Sequence, residues 1–125
     1  MSNIAELVER YVALNHAGDI DGVLDCCSDD ILFETVVNPR GSVRLIGKAQ
    51  VREVLEGALR AFANREHQLV SLLVQANRAA TETIFTGVAQ AELGDGVMPG
   101  DQIAIRGATI FEEEDGKIVR ICDYS

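Results

Sequence analysis

The sequence is short of basic residues and has no long apolar segment, and both shortages exclude classes of function. Lys and Arg number 11 against 20 Asp and Glu, which gives a net charge of −9. Because phosphate backbones are bound by basic surfaces, we expect no nucleic-acid partner. No window approaches the roughly 20 continuous apolar residues of a membrane span. The N-terminus also lacks a basic segment followed by an apolar one, so we expect neither a membrane partner nor a secretion signal.

Cysteine is scarce as well. The three cysteines are Cys26, Cys27 and Cys122. An odd number with two members adjacent does not make a disulfide framework, and no C-x-x-C pair occurs. We interpret all three as small apolar side chains in the core, and by default we expect a reducing, cytoplasmic location.

The motifs that hold metals and phosphates are missing too. There is no H-x-x-x-H pair, no histidine–carboxylate cluster and no cysteine pair with the spacing of a metal site. Neither a glycine-rich phosphate loop nor a G-x-S-x-G elbow occurs. We therefore expect no metal and no cofactor.

What the sequence does contain is a helical first half. The apolar residues between positions 4 and 12 recur at helical spacing, with Asn3 suited to begin the helix and Gly18 to end it. Asp19 is suited to cap a short second helix. After a strand at 31–37, a turn at 38–41 and a short strand at 42–46, the clearest helical pattern covers residues 51–62. We predict three helices in this half.

The second half of the sequence has the pattern of β-strands. Residues 67–75 and 79–91 are rich in β-formers, residues 92–101 form a loop, and two apolar runs at 102–111 and 117–125 flank the Asp115-Gly116 turn signal. Helices followed by long antiparallel strands predict an α+β domain. We expect one domain, residues 1–125, in which a strongly curved, mostly antiparallel sheet wraps around three helices and leaves a conical cavity.

The last hairpin carries charge inside apolar strands. A two-residue turn pairs Ala108 with Asp123 and makes Arg106 a diagonal neighbour of Asp123 on the same face. A three-residue turn with a bulge would shift the pairing by one residue and separate the two charges. The same pairing puts Ile103, Ile105, Thr109, Phe111 and Tyr124 on the opposite face of the hairpin, which is too apolar for open solvent.

Several segments resemble the nuclear transport factor 2-like superfamily, which includes ketosteroid isomerase, limonene epoxide hydrolase and SnoaL-type polyketide cyclases. They are residues 9–19, the Asp29-Asp30 pair before a strand, residues 47–52, and residues 115–119. The ending Arg-Ile-Cys-Asp-Tyr at 120–124 resembles the ending of many SnoaL-like sequences. The resemblance implies a cone-shaped, cystatin-like fold and a single SnoaL-like domain. It also implies that the face of the hairpin with Arg106 and Asp123 is concave, and that the protein is a homodimer through the opposite, convex face of the sheet.

The two best-known catalytic sets of that superfamily are incomplete here. The resemblance puts the oxyanion-donating tyrosine of ketosteroid isomerase at Tyr11, its proton-shuttling aspartate near Thr35 and its protonated aspartic acid near Ala108. Neither threonine nor alanine can do that chemistry. In the epoxide hydrolase pattern the arginine falls at Thr83 and one aspartate at Phe85, so only the last acid remains, as Asp123.

We hypothesise a cofactor-independent acid–base enzyme that acts on a small, mostly apolar organic molecule. Asp123 is the candidate proton acceptor or donor, Arg106 the group that holds its ionised form or binds a ligand oxygen, and Tyr11 a hydrogen-bond donor. The alternative is a non-catalytic binding or dimerisation module in which Arg106 and Asp123 only pair with each other. The expected pocket lining is Thr35, Thr81, Thr83, Phe85, Ala108, Ile110 and Ile121.

Overall fold

The protein is an α+β domain of three helices and one six-stranded sheet, as seen in a computed structural model that describes residues 3–37 and 41–124. In chain order the elements are α1 (Ile4–Ala17), α2 (Ile20–Asp25), β1 (Cys27–Val37), β2 (Gly41–Ile46), α3 (Lys48–Ala61), β3 (Phe62–Gln75), β4 (Arg78–Ala89), β5 (Gln102–Glu114) and β6 (Lys117–Tyr124). The predicted fold class is confirmed. The turn predicted at 38–41 lies mostly outside the described residues.

The first helix begins and ends, and the second begins, where the sequence predicts, but the second ends at Asp25, before Cys27. The Asn3 side chain accepts a hydrogen bond from the Glu6 amide at 3.2 Å, and Gly18 ends α1 in the left-handed conformation that glycine adopts without strain. Asp19 caps α2 through the Gly22 amide at 2.9 Å. At the end of α3, however, Phe62 is extended and is the first residue of β3, so the predicted helix was one residue too long.

The sheet has the strand order β2-β1-β6-β5-β4-β3. Only the β1–β6 pair is parallel. β1 begins at Cys27, four residues earlier than predicted, and β3 begins at Phe62 instead of position 67. Bulges interrupt the pairing of β3 with β4 at two places, between Ala63 and Glu66 and between Leu69 and Ser71. Bulges of this kind bend and twist a strand, which suits a sheet that curves around helices.

The core lies between the helices and the inner face of the sheet. It is built from Ile4, Val8 and Tyr11 of α1, from Val51 and Leu55 of α3, and from strand residues such as Phe33, Phe111 and Ile121. All three cysteines are buried and unpaired. No helix in the described part of the chain is long and apolar enough to cross a membrane.

The last hairpin has the predicted turn but not the predicted register. Asp115 and Gly116 both have positive φ, as a two-residue hairpin turn requires, and Glu114 pairs with Lys117. A bulge then inserts Val119, so that pairing from Glu112 onward is shifted by one residue. Beyond the bulge Asp123 is paired with Thr109, and not with Ala108 as predicted.

This shift exchanges the two faces of β5. Thr109 and Phe111, expected on the outer face, face inward, and Arg106 faces outward. The predicted Arg106–Asp123 pair is therefore wrong: the Arg106 Nε donates to a Glu82 carboxylate oxygen at 2.8 Å, and the arginine side chain is 72% exposed. Ile110 also lies on the outer face, where it borders a depression with Leu73 and Ala80, and not in the pocket.

Candidate functional site

A cavity of about 230 Å³ lies between α1 and the inner face of the sheet. It is small compared with the roughly 300–1,000 Å³ of common ligand sites. Ile105 and Tyr124 on its border are 41% and 42% exposed, so the cavity reaches the surface there. The lining is Tyr11, Val12, Asn15, Thr35, His67, Thr81, Thr83, Phe85, Ile105, Gly107, Ala108, Thr109, Phe111, Asp123 and Tyr124.

The polar groups of the cavity form a row across four strands. Asp123 of β6 is paired with Thr35 of β1 on one side and with Thr109 of β5 on the other. Thr109 is in turn paired with Thr81 of β4. Two residues along each strand, on the same face, lies an apolar row of Phe33, Ile121, Phe111 and Ala79, all buried. The carboxyl group therefore stands between threonine hydroxyls, just beyond the core.

Asp123 is the one acidic residue on the lining. Its Oδ1 accepts a hydrogen bond from the Thr109 hydroxyl at 2.6 Å, and in the described chain it has no cationic partner. Burial raises the pKa of Asp123 above its ordinary value, because a carboxylate is poorly solvated in a closed site, and the Thr109 hydrogen bond only partly offsets this. The exposed part of the Asp123 side chain faces the cavity. Such a carboxyl group can take up or release a proton closer to neutral pH than a free one.

Tyr11 lies close to Asp123. Its ring packs edge-on against Phe111, with the centroids 5.3 Å apart, and the residue is 7% exposed. Burial, followed by the negative charge of Asp123, raises the pKa of the Tyr11 hydroxyl well above its ordinary value. The hydroxyl therefore keeps its proton. It has no hydrogen-bond partner in the described part of the chain, so it is available as a donor to a ligand.

Thr81 supplies a second free hydroxyl. The residue is 4% exposed, and its Oγ1 is buried without a hydrogen-bond partner among the described residues. A buried hydroxyl without a partner costs free energy, so groups of this kind are usually satisfied by a ligand or an ordered water. Thr81 lines the cavity, and a rotation of its side chain would bring this hydroxyl to a ligand atom or a water there.

The outer end of the cavity is aromatic. Phe85 packs edge-on against Phe62 at 5.0 Å and against the His67 ring at 4.9 Å. The Arg65 guanidinium lies 6.0 Å from the centre of the Phe85 ring and contacts His67 Nε2 at 3.2 Å. Burial, and then the neighbouring Arg65 and His16, lowers the pKa of His67 to about 4, so the ring is neutral near pH 7.

The sequence-predicted site residues fall into two groups. Tyr11, Asp123, Thr35, Thr81, Thr83, Phe85 and Ala108 lie on the cavity. Ile121 shares the inner face but is part of the buried core, while Arg106 and Ile110 lie outside. Sequence reasoning missed Thr109, because the face of β5 was assigned wrongly, and His67, because nothing in its neighbourhood of the sequence marks it as part of a site.

Nothing on this lining resembles a metal centre. Within residues 3–37 and 41–124, no three His, Cys, Asp or Glu side chains come together as metal ligands. Proton transfer by Asp123 and hydrogen bonding by Tyr11, Thr81 and His67 are the chemistry that the described side chains can supply.

Solved structures with the same fold include several from bacteria. A protein proposed to be a polyketide cyclase, from Pseudomonas putida, is 27% identical, with a TM-score of 0.79 over 100% of this chain and 92% of that one. AclR from Streptomyces galilaeus, proposed to be a hydroxylase, is 25% identical, with a TM-score of 0.78 over 95% of this chain and 75% of that one. An epoxide hydrolase of the limonene type from M. tuberculosis is 19% identical, with a TM-score of 0.74 over 95% of this chain and 75% of that one. At this identity the likeness shows the fold alone.

The family assignment comes from the sequence itself. The SnoaL-like domain matches residues 8–121, which include α1 from Val8 onward, the whole sheet except its last three described residues, and the Tyr11 end of the cavity but not Asp123. With nearly the entire chain matched and the fold shared, this protein belongs to the SnoaL-like domain family.

Proposed function

We propose that this protein is an acid–base enzyme, of the isomerase or cyclase type, that acts without a cofactor on a small, mostly apolar organic molecule. Membership of the SnoaL-like family and the neighbours proposed to be polyketide cyclases support a small-molecule role of this type. In this proposal Asp123 transfers the proton, and Tyr11 and Thr81 bind the oxygen of the reacting group.

The observation that carries the proposal is the environment of Asp123. The carboxyl group faces a cavity with largely apolar walls, has Thr109 as its hydrogen-bond partner, and has a raised pKa because of burial. Proton transfer is most efficient when the pKa of the base approaches the working pH, and enzymes reach that condition by burying carboxyl groups. A merely structural aspartate is usually paired with a cation, and among residues 3–37 and 41–124 this one has none.

The second part of the site suits an oxygen that becomes negative during the reaction. When a base removes a proton from carbon next to a carbonyl, the electron pair moves to the carbonyl oxygen. The Tyr11 hydroxyl, which keeps its proton, can donate to that oxygen, and the free Thr81 hydroxyl can do the same. Asp123, now protonated, then returns the proton to another atom of the ligand, so that no net proton is gained or lost. General acid–base catalysis of this kind contributes roughly 10²–10⁴-fold.

The competing hypothesis was a binding module in which Asp123 is neutralised by Arg106. Arg106 is instead paired with Glu82 on the opposite face. The binding or dimerisation module thereby loses its ion pair, and the acid–base enzyme loses Arg106 but keeps Asp123 and Tyr11.

The proposal can be tested with 5-nitrobenzisoxazole, a small aromatic compound that releases a coloured phenolate when a base removes its one acidic C–H proton. We expect the protein to accelerate this elimination well beyond an equal concentration of acetate, because Asp123 is a desolvated carboxylate. Arg106→Gln is the matched control: it removes a charge from the hairpin but outside the cavity, and the rate should stay within about twofold. A rate equal to that of acetate would exclude the proposed base.

We also propose a homodimer through the outer face of the sheet. Leu73, which pairs with Ala80 on that face, is 71% exposed and lies beside Ile110, which is more apolar surface than an isolated sheet usually presents. Analytical ultracentrifugation should give a dimer at micromolar concentration, and Leu73→Glu should shift it toward monomer. A monomer for the unaltered protein would exclude the dimer.

A further inference from the structure

His67 lies on the cavity, but proton transfer at Asp123 does not use it. The residue sits on β3 opposite Phe85, and its ring packs against the Phe85 ring at 4.9 Å. Thr81, in the polar row, is four residues from Phe85 on β4. At roughly 3.3 Å per strand residue, the two ends of the cavity are about 13 Å apart along the strand. His67 therefore belongs to the outer end, away from Asp123.

Arg65 fixes the protonation of the His67 ring. The Arg65 guanidinium contacts His67 Nε2 at 3.2 Å. Because a guanidinium can only donate, Nε2 must accept, and the ring must then be neutral with its proton on Nδ1. A proton on Nε2 would place two donors face to face next to a positive charge. The backbone of His67 is held as well, since its amide donates to His16 Nδ1 at 3.0 Å.

The remaining ring nitrogen is therefore a donor in a fixed position. His67 Nδ1 has no hydrogen-bond partner in the described residues, although the residue is half-buried on the cavity wall. Phe85 and Ile105 on the same wall offer no acceptor. A donor without a protein partner at the outer end of a mostly apolar cavity is suited to an acceptor atom of the ligand.

We propose that His67 Nδ1–H binds a second oxygen of the ligand, and that Arg65 is the positioning residue that sets this tautomer. The ligand then has two oxygen functions at its two ends: the reacting carbonyl or hydroxyl group near Asp123 and Tyr11, and a neutral acceptor, such as a ketone or quinone oxygen, at His67. Flat ring systems carrying oxygen at both ends fit the aromatic wall between them. This inference rests on the proposed function for the location of the ligand but not for the reaction.

The test compares two fluorescent probes of the same shape, 6-acetyl-2-naphthol and 6-isopropyl-2-naphthol. They share the naphthol hydroxyl and differ at position 6, where a carbonyl oxygen is replaced by a methyl group. Because the acetyl group also strengthens the naphthol hydroxyl as a donor, the contribution of His67 is measured as the change in preference on His67→Phe. One neutral hydrogen bond corresponds to about a 2- to 10-fold difference in affinity. We expect the wild-type protein to prefer the acetyl probe by that factor at pH 7. His67→Phe, which keeps a ring against Phe85, should reduce the preference by the same factor, because it weakens the acetyl probe alone.

Two further measurements separate recognition from a structural role. Nitrogen-15 NMR should show the His67 ring as the Nδ1–H tautomer in the wild-type protein and as a mixture of tautomers in Arg65→Leu, with a matching partial loss of the preference. Equal affinity of the wild-type protein for both probes, or equal weakening of both by His67→Phe, would overturn the proposal. Asp123→Asn should leave the preference intact even if it abolishes elimination, so that the failure of one proposal is distinguishable from the failure of the other.

Discussion

Asp123→Asn should lower the elimination rate of 5-nitrobenzisoxazole by at least about 100-fold, the lower end of what general-base catalysis contributes. Asparagine has nearly the same shape and can accept the Thr109 hydrogen bond through its side-chain oxygen, so only the base is lost. The measurement is the initial rate at pH 7 for wild-type protein and variant. A variant that keeps more than half of the wild-type rate would remove Asp123 from its proposed role.

The same substitution should not damage the fold. Because burial raises the pKa of Asp123 in the folded state, the folded protein holds the proton more tightly than the unfolded chain. Wild-type protein therefore loses stability as the pH rises from the unfolded pKa, about 3.9, through the folded one. Asparagine carries no such cost, and the variant should be more stable at pH 7 by about 0.5–2 kcal/mol, with the difference vanishing near pH 3. A loss of stability at pH 7 would instead indicate a structural aspartate.

Phe111→Ala should destabilise the protein by about 3–5 kcal/mol, the range for truncating a buried aromatic side chain. Phe111 is 1% exposed and packs against Tyr11, so the substitution leaves a void between α1 and the sheet. The measurement is urea unfolding at pH 7. Phe111→Leu, a smaller change, keeps the comparison measurable if the alanine variant does not fold.

The control for this second prediction is the adjacent residue. Ile110→Ala changes the opposite face of β5 and should cost about 1 kcal/mol, provided unfolding is followed at a concentration low enough to keep the protein monomeric. Without the bulge Ile110 would face the core, and Ile110→Ala would then cost more stability than Phe111→Ala. That order would contradict the register described here.

Local signals in the sequence were sufficient for much of the fold. Asn3, Gly18 and Asp19 determine where α1 and α2 begin or end, because capping depends on the side chain and backbone of one residue. The Asp115-Gly116 turn was predicted correctly for the same reason, since positive φ at both positions restricts the residues that fit. These features need no information about the rest of the chain.

Local signals could not predict which side chains of each strand point toward the cavity. Val119, the extra residue of the bulge in β6, has a β-branched side chain in an ordinary strand sequence, and nothing distinguishes it from its neighbours. One inserted residue reverses every side chain of the partner strand. As a result Arg106 was placed in the cavity and Thr109 outside it. His67 was missed because its place on the wall comes from pairing with Phe85 of β4, which no signal in its own segment indicates.

The central claim is that Asp123 is a buried base whose pKa is governed by burial and by Thr109. The most direct test is the dependence of the elimination rate on pH for wild-type protein and Thr109→Val. For the wild-type protein the rate should fall on the acid side around a pKa above 3.9, the ordinary value of an aspartate. Thr109→Val removes the hydrogen bond that lowers this pKa, so its midpoint should lie at still higher pH. A midpoint at the ordinary value in both proteins would contradict the claim.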